Sequence, residues 1–307
     1  MASLQPVIAW DYQFAPNAQK SRNYLYATKT PFKICEQPFV LPRPILSAIG
    51  ITYRRIPVLS IGKDVFCDTI SFMDAMQSLL GSQGLRKSPG DRAFEAWGYR
   101  SFWICLAVVP SKLVTKELAT DRADLFEVFS RTDFADLRQN AFGELRSLFD
   151  TAENEFLTSE GSFIGGANDC GMADIHAIWM IKWAVQTVGV SEEPQLGEKF
   201  YPRVWRWINS LQNHDGAIEK DQKISQEEAK AIIMGSQYAV PDIGFDANDP
   251  VGLKPGDAAA VEATDAQPGK YPQKGRLVGL SARQAVLEME NGLRVHFPRV
   301  GYTIKQG

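Results

Sequence analysis

Between residues 4 and 84, short apolar runs alternate with stretches of helical period. Residues 6–10 (PVIAW) form an unbroken apolar run of strand length. Residues 17–28 place Tyr24, Leu25 and Ala27 on one stripe and read as a helix. Residues 32–37 alternate apolar and polar positions and read as a second strand. A proline-rich loop over residues 38–44 leads to a short helical stretch near 45–48. Two brief runs, 57–61 (PVLSI) and 64–67 (DVFC), flank Gly62-Lys63 and predict a hairpin. Asp68 and Thr69 are cap candidates for a helix reaching Leu80. The order β-α-β-α-β-β-α describes a small mixed sheet with helices on its faces.

The pattern changes twice more. Residues 85–237 carry long apolar stretches of helical period, at 92–109, 134–157, 172–188 and 201–211. Leu137, Ala141, Leu145, Leu148 and Ala152 illustrate the three- and four-residue spacing. Six tryptophans, including Trp179, Trp183 and Trp207, fall mainly on these helices and read as bundle core. Residues 238–307 begin with a loop rich in Asp, Gly and Pro. Short strand candidates follow at 258–263, 275–280, 285–289 and 293–297, with Asn291-Gly292 as a two-residue turn signal between the last two. This spacing predicts a small β-barrel or curled meander. The expected organisation is therefore residues 1–84, 85–237 and 238–307. Residues 238–252 are expected to run as a surface linker, cut first in limited proteolysis.

Composition narrows the function classes. Across 307 residues, 33 Lys and Arg oppose 36 Asp and Glu, for a net charge of −3. That balance gives no basic footprint for nucleic acid or an anionic membrane surface. No apolar stretch of about 18 residues is present to span a bilayer. Residues 1–10 lack the basic-then-apolar pattern of a secretory signal. Cys35, Cys67, Cys105 and Cys170 are dispersed and form no C-x-x-C. His176, His214 and His296 match no metal spacing. No metal site is expected, and the cysteines read as small buried residues in a reducing cytoplasm. No G-x-S-x-G supports a hydrolase triad. His296, set between Arg294 and Arg299 on a strand candidate, reads as exposed and structural.

Four local motifs stand out, with one later helix entry beside them. Tyr12-Gln13-Phe14-Ala15-Pro16-Asn17-Ala18-Gln19-Lys20 follows the first strand. Arg54-Arg55-Ile56-Pro57-Val58-Leu59 enters the third. Cys67-Asp68-Thr69-Ile70 opens a helix. Phe163-Ile164-Gly165-Gly166, with Gly171-Met172-Ala173-Asp174-Ile175, lies in the helical region, and Tyr201-Pro202-Arg203-Val204 with Trp207 enters a later helix. Over about residues 5–215, this set resembles the cytosolic glutathione transferases. The Ala-Pro-Asn run is similar to the transferase-like nitrogen regulator of fungi and its fungal relatives. The resemblance implies a thioredoxin-like α/β N-terminal domain and an all-helical domain. The C-terminal β-region lies outside it.

The resemblance also implies a site. In the family, a Ser or Cys before the first helix sits near the glutathione sulfur, where a helix N-terminus favours the thiolate. Ala15 occupies that position, so Asn17 and Tyr12 are the remaining catalytic candidates. Asn17 also fits a plain helix cap after Pro16. Ile56, before Pro57, would offer its backbone to the cysteinyl part of the tripeptide. Arg54 or Arg55 would meet the glycine carboxylate, or stand as a solvated charge. Asp68 and Thr69 would take the γ-glutamyl ammonium and carboxylate, or simply cap the helix. Asp174 reads as structural, the third residue after a glycine cap.

The implied function is a glutathione transferase-like enzyme. Glutathione is its co-substrate, and a hydrophobic small-molecule electrophile is the acceptor held against the helical domain. A cytoplasmic homodimer is implied as well. Ala15 and the added β-region also fit a non-catalytic binding or regulatory module, or a glutathione-independent biosynthetic enzyme reusing the cleft.

Overall fold

The structure is a computed structural model that describes residues 4–211 and 219–307; His214 lies outside the described residues. The chain divides into two compact units. The first gathers residues 1–18, 31–81 and 218–307, and the second residues 19–30 and 82–217.

The first unit is built on one nine-stranded sheet. Its N-terminal part holds β1 (Val7–Asp11), β2 (Lys33–Glu36), β3 (Val58–Ile61) and β4 (Asp64–Phe66). All five residues of β1 are buried, which is why this strand reads as an unbroken apolar run rather than an alternating one. β1 lies parallel to β2 and antiparallel to β3, with Trp10 opposite both Cys35 and Val58. β3 and β4 form the expected hairpin, with Leu59 opposite Phe66. Three helices belong to this stretch: α1 (Pro16–Ala27), α2 (Pro44–Ala48) and α3 (Thr69–Leu80).

The C-terminal strands are β5 (Ala258–Ala263), β6 (Gln273–Leu280), β7 (Gln284–Glu288), β8 (Arg294–Pro298) and β9 (Tyr302–Gln306). They do not close into a barrel. The strand order is β2-β1-β3-β4-β8-β7-β6-β5-β9, so the sheet is open, with β2 and β9 at its edges. The reason is a parallel pairing between β4 and β8, which sets Asp64 opposite Arg294 and Phe66 opposite His296. The edge of β8 that a barrel would need for closure is thus committed to the N-terminal sheet. Local turn signals are the same for an open meander and a closed barrel, so the strand pattern alone does not separate them.

One hydrophobic core runs through both parts of this sheet. Ile8, Trp10 and Val65 share it with Leu277, Leu287, Val295 and Phe297. A further helix, α9 (Gln226–Gly235), adds Ala229 and Ile233 to the same core. Residues 238–252, expected as a surface linker cut first by protease, are joined to the sheet by backbone bonds. Leu280 N–H donates to Gly244 O at 3.0 Å, and Asp246 N–H donates to Leu280 O at 2.8 Å.

The second unit is helical. Its longer helices are α4 (Asp91–Ala107), α6 (Phe134–Thr151), α7 (Met172–Thr187) and α8 (Pro202–Ser210), with a short α5 (Lys116–Arg122). Nearly all of α7 is buried, from Met172 to Val185. Gly98 on α4 permits the close approach of α7, because a Cβ there would run into the His176 carbonyl oxygen. Aromatic side chains fill the packing, with Phe102 stacked on Trp179 at 5.7 Å between ring centroids.

Asp174 organises the start of α7. Its carboxylate accepts from Gly171 N–H at 2.8 Å, from Ile164 N–H at 2.9 Å and from the Trp207 indole N–H at 2.9 Å. One buried side chain therefore joins the Phe163–Gly166 loop, α7 and α8. Burial raises its carboxyl above the ordinary carboxylate value, against these donors, which favour the charged form. The start of α8 is capped from elsewhere: the Glu153 carboxylate accepts from Arg203 N–H and Val204 N–H, each at 2.9 Å.

Candidate functional site at one end of the sheet

Strand register decides which loops meet. Trp10 faces Val58 across β1 and β3, and Leu59 faces Phe66 across β3 and β4. The segment after β1, the segment before β3 and the segment after β4 therefore emerge at one end of the sheet. These three segments carry Tyr12 and Asn17, then Arg55, Ile56 and Pro57, then Asp68 and Thr69. The sequence-predicted residues thus share one sheet end, although up to 57 positions separate them.

The loop after β1 is a turn, closed by the Ala15 N–H on Tyr12 O at 3.0 Å. Ala15 is buried, so the position where the transferase resemblance expects Ser or Cys holds a methyl group facing the interior. Pro16 opens α1, where its missing N–H costs nothing. No acidic residue lies in the first turn, which leaves the positive end of the helix uncompensated there. Asn17 is half-buried in that turn. Tyr12 is half-buried too, its ring edge-on to Phe39 with centroids 5.1 Å apart. Phe39 and Phe14 are exposed beside it, at 44% and 62%.

The Ile56–Pro57 peptide is cis, and Pro57 is buried ahead of β3. Arg55 is half-buried and forms an ion pair with Asp265, Nη2 to Oδ1, at 2.5 Å. Asp68 is the cap of α3: its Oδ1 accepts from Ile70 N–H at 2.9 Å. Its Oδ2 accepts from the Tyr302 hydroxyl at 3.0 Å. Thr69 is buried at the first helical position.

Tyr302, Tyr53 and Asp265 also belong to this end of the molecule, and no sequence motif pointed to them. Tyr302 begins β9, opposite Ala263 of β5. Its hydroxyl lies 2.8 Å from that of Tyr53 and 3.3 Å from Cys67 O. Burial pushes the Tyr302 hydroxyl well above its ordinary value, and the Asp68 charge beside it adds to this, so it remains a proton donor. Burial likewise raises Tyr53, with the Arg55 charge opposing. A signal for β9 is present in the alternation of Tyr302 and Ile304 with Thr303 and Lys305, in a run too short to stand out.

The other polar candidates play different parts. His296 is buried rather than exposed: its Nε2 lies 2.9 Å from Asp64 Oδ1, and its ring stacks on Phe66 at 4.7 Å. A strand position between arginines suggests exposure, but the β4–β8 pairing covers it. Cys35, Cys67 and Cys105 are buried. Burial pushes the Cys35 thiol up to about 11 and raises Cys67 well above its ordinary value, so neither supplies a thiolate at neutral pH. Among the described residues, no three His, Cys, Asp or Glu side chains gather as a metal-holding group. Among those residues, too, no helix is long and apolar enough to cross a membrane.

The fold is that of a glutathione transferase-like protein. A GST-like protein from Pseudomonas syringae superposes with a TM-score of 0.73 at 21% identity, over 99% of this chain and 100% of that one. The match therefore includes the C-terminal strands. Weaker likenesses include the β-etherase LigF from Sphingobium sp. strain SYK-6, at TM-score 0.48 and 16% identity over 69% of this chain and 97% of that one. A glutathione transferase homolog from Drosophila mojavensis with bound glutathione gives 0.46 and 17%, over 76% and 99%. Residues 105–221 match a domain of unknown function (DUF7962). No curated protein matches the chain.

Proposed function

We propose that the protein binds glutathione at this sheet end and acts as a transferase-like enzyme, joining or isomerising a hydrophobic electrophile. One observation carries the reading. The register of β1, β3 and β4 places the start of α1, the Ile56 backbone and the start of α3 side by side. In this reading the thiolate lies at the start of α1, where the helix dipole and the Asn17 amide or Tyr12 hydroxyl favour the anion. Ile56 offers backbone groups to the cysteinyl residue, Arg55 answers the glycine carboxylate, and Asp68 with Thr69 answers the γ-glutamyl end. The exposed Phe14 and Phe39 give an apolar acceptor a surface beside Tyr12. A cytoplasmic homodimer completes the proposal on the family resemblance, and the fungal branch is suggested by the Ala15-Pro16-Asn17 run.

A second reading, a binding or regulatory module without turnover, has support of its own. Ala15 supplies neither hydroxyl nor thiol, and the Asp68 carboxylate already takes the Ile70 N–H at the start of α3. A glutathione-independent biosynthetic enzyme fits the same two facts.

Calorimetric titration with glutathione separates these. Binding in the micromolar to millimolar range, with a thiolate absorbance that weakens in Asn17→Ala or in Tyr12→Phe, supports the enzyme. Binding without thiolate formation supports the module. Absence of binding at millimolar glutathione overturns the tripeptide reading.

A further inference from the structure

Residues 264–272, between β5 and β6, cover the arginine side of the candidate site. The loop is anchored at its start and part-way along. Thr264 N–H donates to Gly301 O at 2.9 Å, and Gly269 N–H donates to Glu262 Oε1 at 2.6 Å. The Tyr271 ring lies 4.9 Å from the buried Arg54 guanidinium, and Asp265 pairs with Arg55 at 2.5 Å. Beneath the loop is a small surface depression lined by Tyr53, Arg54, Arg55, Glu262, Gln267 and Tyr271. The register places the loop here. Ala263 faces Tyr302, and Tyr302 touches Asp68, so the end of β5 emerges beside the start of α3.

We propose that Asp265 is a specificity-determining residue: its carboxylate occupies Arg55 in place of a ligand carboxylate, so a carboxylate-bearing ligand binds there only by exchanging with it. This rests on the glutathione reading above. Three features support exchange rather than a fixed structural pair. The Asp265 side chain is 42% exposed, and an ion pair so placed contributes little net stability. The loop around it is exposed from residue 267 to 270. The partner, Arg55, presents a planar fork suited to a carboxylate. A ligand carboxylate replaces the Asp265 carboxylate like for like, so the arginine keeps its charge partner throughout. A ligand lacking a carboxylate at that end gains nothing from displacing Asp265.

The test uses the full chain and its Asp265→Asn and Asp265→Ser variants, titrated with glutathione and with its glycyl monoethyl ester. Thermal unfolding first establishes that each variant is folded. Both variants are expected to bind glutathione about three- to tenfold more tightly than wild type. The ester, which lacks the competing carboxylate, is expected to bind wild type and variants alike. Equal glutathione affinity in wild type and variants overturns the competition and leaves the glutathione reading standing. An ester that gains as much as glutathione overturns it too, since the gain would then be a general loosening of the loop. Binding seen only in the variants supports both proposals, and absence of binding in all three proteins overturns both.

Discussion

Asp64 Oδ1 and His296 Nε2 lie 2.9 Å apart inside the sheet, 232 positions apart in sequence. Both side chains are buried, at 0% and 2% exposure. The other Asp64 oxygen accepts from Ala239 N–H at 2.6 Å and Val240 N–H at 3.0 Å. One carboxylate at the start of β4 thus holds β8 and the segment leading into the C-terminal strands. Removing either member leaves a buried polar group without its partner, which costs far more than an exposed pair. Asp64→Ala and His296→Ala should each lose about 3–5 kcal/mol in denaturant unfolding, and the double variant less than the sum of the two.

The same geometry makes the C-terminal strands part of the first unit's folding. A chain ending before β5 would expose β4 as an open edge and strip Leu277, Leu287, Val295 and Phe297 from the core. Expression of residues 1–237 should give insoluble protein. Limited proteolysis should spare residues 238–252, whose backbone is bonded to the sheet. A soluble, cooperatively folding 1–237 fragment would contradict this.

Asp174 is a structural residue. Asp174→Ala strands the N–H groups of Gly171 and Ile164 and the Trp207 indole at once. Each orphaned buried donor costs about 1–3 kcal/mol, so the variant should unfold far below wild type in a thermal melt. Gly98→Ala should also destabilise the helical unit, by overpacking against the His176 carbonyl.

His176 gives the helical unit a pH dependence of known sign. Burial is the main cause that pushes its imidazole down to about 2, with Lys20 and Arg92 adding to it. The folded state keeps it neutral while the unfolded chain takes up a proton near the ordinary histidine value of about 6.5. Its contribution is therefore complete above that value and is lost as pH falls below it, by up to about 1.4 kcal/mol per pH unit. Unfolding of His176→Leu should depend less on pH between neutral and mildly acid conditions than that of wild type.

Asn17 and Tyr12 make separable predictions about chemistry. If the thiolate sits at the start of α1, Asn17→Ala should lower turnover with a model electrophile by about a hundredfold, with glutathione affinity nearly kept. Tyr12→Phe leaves the ring against Phe39 and removes only the hydroxyl. Steady-state kinetics on the two variants assigns the donor: the one whose loss falls on kcat rather than on binding.

Elements with a strong local signal are legible in the amino-acid sequence. The apolar run of β1, the Gly62-Lys63 hairpin, the Thr69–Leu80 helix and the Asn291-Gly292 turn all follow from nearest-neighbour periodicity and turn chemistry. The candidate residues Asn17, Arg55, Ile56 and Asp68 come instead from the family resemblance of the motifs around them, and only the cap position of Asp68 follows from local pattern. Pairing between distant strands leaves no such mark. The register of β4 against β8 depends on which edge is free after both segments have folded, and nothing in residues 64–66 or 294–298 announces it. That pairing opens the expected barrel, buries His296 against Asp64, and delivers Tyr302 and Asp265 to Asp68 and Arg55. Local composition determines which elements form. Which of them share a core, and which side chains meet at the sheet end, is decided by long-range burial and hydrogen-bond completion, which only the assembled chain can satisfy.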